Sequence, residues 1–102
     1  MTVDEARAVF LGFPGAFESS HHGHPDFRIK QGIFATLWPD RGQSVLRLPM
    51  LLAESLASEE PDRYHLVGRF GRMGWLGLNL AAADPEEFQR LSEVAWESRG
   101  GS

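Results

Sequence analysis

The chain has 102 residues, 42% of them hydrophobic and 24% charged, which is the composition of one ordinary globular domain spanning 1–102. A formal charge of −4 excludes a domain that is basic overall, so nucleic-acid binding would have to come from a local basic face. The absence of cysteine excludes disulfides, thiolate metal sites and a cysteine nucleophile.

At the N-terminus, Thr2 and Glu5 form a capping box that opens a first helix. Val3, Ala6, Val9 or Phe10, and Phe13 recur on one face of it until Pro14 and Gly15 stop the pattern. A polar stretch runs from Glu18 to Asp26. From Phe27 the period becomes two. Phe27–Ile29, a turn at Lys30, Gln31 and Gly32, and then Ile33–Trp38 read as a hairpin. Pro39–Gly42 is a second turn, and Ser44–Leu48 is a third strand. Pro49 opens a helix in which Leu52 and Leu56 align, and Pro61 breaks it. Tyr64–Gly68 reads as a short strand. Trp75–Leu80 reads as a longer one, with Leu76, Leu78 and Leu80 on one face. Asp84, Pro85 and Glu87 give the strongest helix start in the chain, and Phe88, Leu91 and Ala95 follow on its inner side.

The order α-β(3)-α-β(2)-α predicts an α+β two-layer sandwich: a mostly antiparallel five-stranded sheet with helices on one face. Alternation then puts Trp75, Gly77 and Asn79 on the uncovered face. Phe34, Thr36 and Trp38 form one set, and Val45 and Arg47 another, that would share this face as an aromatic patch containing an arginine. Such a patch suits either a homodimer or protein interface, or a platform on which bases stack. Trp38 and Trp96 each read as partly buried anchors near an element end.

Two segments are more specific. One is His21, His22, Gly23, His24, Pro25, Asp26, Phe27 and Arg28, followed by Gly32, Ile33, Phe34 and Ala35. The other is Gly71, Arg72, Met73, Gly74 and Trp75, running into an alternating strand and then the Asp84–Pro85 helix. With Phe13, Pro14 and Gly15 after the first helix, the chain from about residue 3 to 98 resembles the MmcQ/YjbR family of small bacterial proteins. The resemblance implies a fold akin to secretion chaperones and to the CyaY-like group. It also implies DNA binding, through what is described for the family as a double-wing arrangement. Members often carry a lysine just before the Ile33–Phe34–Ala35 strand, where this chain has Gln31 and Gly32.

His21, His22 and His24, with Asp26, lie at spacings that do not converge on one ion, so neither a metal nor a cofactor is expected. Ser19 or Ser20 with His24 and Asp26 lacks a nucleophile elbow, and Gly68–Gly74 lacks the lysine of a phosphate-binding loop. No enzyme is expected. Arg63, His65, Arg69 and Arg72 crowd a short stretch beside Asp62, interleaved with Tyr64, Phe70 and Trp75. Arginines among aromatics can neutralise phosphates and stack on bases. The competing reading is a surface loop whose arginines pair with Glu86, Glu87, Glu93 and Glu97.

The sequence therefore nominates Arg47, Arg63, Arg69, Phe70, Arg72 and Trp75 for weak, salt-dependent contact with DNA. It nominates Phe34, Thr36, Trp38 and Val45 as a face for a homodimer or another protein partner. With no apolar run near the ~18 residues of a membrane span and no leader pattern, a cytoplasmic location is expected.

Overall fold

In the computed structural model, which describes residues 1–68 and 74–102, the elements are α1 (Val3–Leu11), β1 (Phe17–His21), β2 (His24–Ile29), β3 (Gly32–Trp38), β4 (Gln43–Leu48), α2 (Met50–Glu59), β5 (Tyr64–Leu66), β6 (Gly74–Asn79) and α3 (Pro85–Ser98). The strands form one six-stranded antiparallel sheet in the order β1-β2-β3-β4-β6-β5. The helices cover one face of it: α1 and α3 lie over β3 and β4, and α2 over β5 and β6. No helix among the described residues is long and apolar enough to cross a membrane.

The extra strand, β1, lies in the polar stretch. His22 and Gly23 both take positive φ, 51° and 83°, so they form a tight two-residue turn that folds β1 onto β2 with His21 opposite His24. Histidine enters the left-handed region more readily than most residues. At the other ends the sequence signals hold. Thr2 and Glu5 close a reciprocal capping box, and the Glu5 carboxyl is held below its usual value by the Thr2 backbone N–H. Asp84 is the N-cap of α3, although its side chain bonds no backbone N–H there.

Phe10, Phe27, Phe34, Leu37, Leu46, Leu76 and Leu80 are fully buried between sheet and helices. Phe10 is the hub, with ring centroids 4.8 Å from Phe27, 5.4 Å from Phe88 and 6.0 Å from Phe34. Trp96 is buried as an anchor. It stacks on Phe13 at 5.5 Å and donates its indole N–H to the Pro14 carbonyl at 3.0 Å.

Phe34 is a correction to the sequence reading, because it does not belong to the open face. Phe27 pairs with Ala35 but Arg28 pairs with Ile33, so β3 spends one more residue than β2 over this step. The extra residue is Phe34. This bulge breaks the alternation: Phe34 and Ala35 are both buried, and the Phe34 ring meets Phe10 and Phe13 edge-on. Phe34→Ala is therefore expected to cost about 3–5 kcal/mol, as for a core phenylalanine. Urea unfolding measures this; a loss under about 1 kcal/mol would put the ring back on the surface.

Candidate functional site: the open sheet face

Beyond the bulge, Thr36 and Trp38 return to the uncovered face. Thr36 pairs with Asp26 on one side and Val45 on the other, and Val45 pairs with Gly77, which in turn faces His65. This row crosses the middle of the sheet. A recess of about 370 Å³ opens above it, lined chiefly by Ile33, Thr36, Trp38, Val45, Val67 and Trp75. Trp38 lies two residues beyond Thr36. Trp75 pairs with Arg47, two residues from Val45 in the opposite direction. The two indoles thus flank the recess from opposite ends, and both are half-buried.

Each wall has local support. The His24 ring stacks on Trp38 with centroids 3.7 Å apart, and Arg41 holds its guanidinium 5.4 Å from the Trp38 ring. On the other side Gly77 has no side chain, so His65 of the edge strand and Val67 just beyond it lie over it; a Cβ there would come within 2.9 Å of Val67.

The polar groups of the face are few. Asp26 is fully buried, and Arg28 folds back along its own strand to hold it through both carboxylate oxygens, at 2.7 and 3.0 Å. That bond to Asp26 raises the Arg28 guanidinium above its ordinary value. The buried Thr36 hydroxyl has no hydrogen-bond partner among the described residues. Arg47, on the same face of β4 as Val45, makes no ion pair with any described carboxylate.

Arg63 stands apart from the recess. Its guanidinium lies 3.1 Å from Glu60 and 3.4 Å from Glu87, and the Tyr64 hydroxyl bonds the same Glu87. The competing reading holds for this one arginine: it ties β5 to α3 and is absent from the recess. Of the nominated contacts, Thr36, Trp38, Val45 and Trp75 line the recess, and Arg47 stands beside Trp75. Arg69, Phe70 and Arg72 lie outside the described residues. Sequence reasoning missed Ile33, Val67 and His24 as lining residues. The β1–β2 turn would have exposed His24, but the bulge that redirects Ile33 leaves no signal in the composition of β3. Among the described residues no three histidine or acidic side chains gather as a metal site.

Fold and face define an open-faced α+β domain, with one side of its sheet covered and the other carrying an aromatic recess. The YjbR family model matches residues 11–98, and the chain belongs to that family. The crystal structure of the Deinococcus radiodurans protein DR2400, whose family-model domain is DUF419, has the same fold. Its TM-score is 0.78 at 17% identity, over 93% of this chain and 75% of that one. No curated protein matches the chain at a level that would mark a relative.

An unsatisfied buried hydroxyl costs free energy. Thr36→Val should therefore leave the urea midpoint unchanged or raise stability by up to about 1 kcal/mol. A loss of more than about 1 kcal/mol would show that the hydroxyl is bonded in the free protein.

Proposed function

We propose that this domain is a non-enzymatic, cytoplasmic DNA-binding module that works through its open sheet face. The observation that carries the reading is the partition of charge. Eight of the fourteen acidic residues lie within the three helices. On the open face the one acid within the strands is Asp26, already bound by Arg28. Arg41 and Arg47 stand beside Trp38 and Trp75 with no carboxylate partner among the described residues. A net acidic protein can thus present a locally cationic, aromatic surface.

In this reading Arg47, together with Arg69 and Arg72 of the adjoining segment, contacts phosphates. Trp75 and Trp38 accept unpaired bases. The recess suits a splayed base better than an intact duplex, because stacking on an indole needs an open π-face.

A second reading rests on the apolar lining itself. Ile33, Val45, Val67 and the two indoles make a surface that a protein partner or a second copy of the chain could cover. Sedimentation separates the two: a dimer that shields both indoles from acrylamide quenching favours the second.

The test is fluorescence anisotropy of a labelled ~20-nucleotide strand and the matching duplex at 50 and 200 mM salt. With three or four phosphate contacts, affinity should fall roughly 20- to 150-fold over that range. Trp75→Ala should weaken the single strand by about 1–3 kcal/mol, and Arg47→Ala should reduce the salt slope by about 1. No binding at 50 mM would overturn the DNA reading.

A further inference from the structure

β1 ends the sheet with room for another strand beside it. It pairs with β2 over five residues without a break in register, and no described strand lies on its far side. Among the described residues only β2 packs closely on it, and no hydrogen bond outside that ladder uses its backbone. Edge strands are usually guarded by shortness, proline, lysine, a bulge or a covering element. The opposite edge, β5, is short, with three residues. β1 carries no proline, lysine or bulge. Its acid, Glu18, turns to the covered side, where Arg7 of α1 bonds it at 3.0 Å.

The ladder itself decides which backbone groups of β1 face outward. The two-residue turn at His22 and Gly23 closes on His21 and His24, so that pair exchanges hydrogen bonds. Every second pair does the same. The N–H and C=O of Phe17 and Ser19 therefore point to β2, and those of Glu18 and Ser20 point out of the sheet. Pro25 agrees with this count, because it faces Ser20 in a pair that needs no N–H from it. Ser19 lies opposite Asp26 and Phe17 opposite Arg28, so both side chains stand on the open face, and Phe17 is 48% exposed there.

We propose that β1 pairs antiparallel with β1 of a second copy of the chain, about a two-fold axis through Ser19. Glu18 then lies opposite Ser20 of the second copy, and their outward N–H and C=O groups exchange hydrogen bonds on both sides of the axis. Ser19 meets its own counterpart in the close, non-hydrogen-bonded pair, where a small side chain fits. Charge selects this register. Moving the axis to Glu18 sets two carboxylates directly opposite each other, which is destabilising. Moving it to Ser20 carries Glu18 past the end of the partner strand. With the axis at Ser19 the two sheets run on as one, and both open faces look the same way. Neither recess is covered, so the dimer is independent of the DNA reading and differs from one that closes over the indoles.

Sedimentation equilibrium at up to about 1 mM protein detects even a weak dimer. The native chain should show a reversible monomer–dimer equilibrium. Ser19 is exposed, so Ser19→Lys leaves the fold intact while setting two ammonium groups across the axis. It should weaken the dimer at least roughly tenfold, and high salt should restore part of the loss. Ser20→Pro removes an outward N–H without touching the ladder to β2 and should abolish the dimer.

Amide exchange on the native chain needs no variant. The N–H groups of Glu18 and Ser20 should become more protected as protein concentration rises, while Trp38 and Trp75 stay equally open to acrylamide. A native chain that stays monomeric, a dimer of equal strength in both variants, indoles shielded in the dimer, or protection that ignores concentration overturns the proposal. No oligonucleotide is present in these experiments, so their failure is separate from any failure of the DNA titration.

Discussion

The pairing of Phe27 with Ala35 and of Arg28 with Ile33 leaves Phe34 as one residue too many, and the rest of the molecule depends on that mismatch. Without it, strict alternation would put Phe34 on the same face as Thr36 and Trp38. With it, the ring turns into the helical layer and closes the aromatic cluster built on Phe10. Ile33 moves the other way and helps line the recess. A single bulge thus completes the core and shapes the open face, the pairing of roles for which bulges near functional surfaces are known.

The same division governs charge. Acidic side chains sit on the outer surfaces of the helices, in water, where isolated carboxylates cost little. The arginines that brace the fold, Arg7 and Arg63, reach those acids and tie helices to edge strands. Across the sheet, Asp26 is consumed by Arg28, and Arg41 and Arg47 pair with no described carboxylate. In the proposed reading, stability and binding draw on different faces. A substitution on the open face can alter ligand contact without disturbing the packed layer beneath it.

Much of the site was legible in the chain. Trp38, Val45, Thr36 and Trp75 follow from alternation, because each lies on the far side of a bulge or on a strand that has none. Arg47 follows from Val45 by the same count. For Arg63 the sequence leaves two readings, DNA contact or pairing with acids such as Glu87, which lies 24 residues away on α3. Pairing at that distance is decided by how α3 docks. The place of His24 at the recess is not legible because a His22–Gly23 turn is a weaker hairpin signal than asparagine–glycine, although both serve the same positive φ.

By itself the sequence determined the class of fold, the element order apart from β1, the capping box at Thr2 and Glu5, and the burial of Leu76, Leu78 and Leu80. These are set by local periodicity and by the chemistry of caps and turns, which act over a few residues. The tertiary structure alone decided that Phe34 faces inward, that Arg63 meets Glu60 and Glu87, and that Arg99 lies across Gly32. Those outcomes depend on strand register and helix docking, where residues far apart in sequence compete for the same space. Local pattern carries no information about that competition.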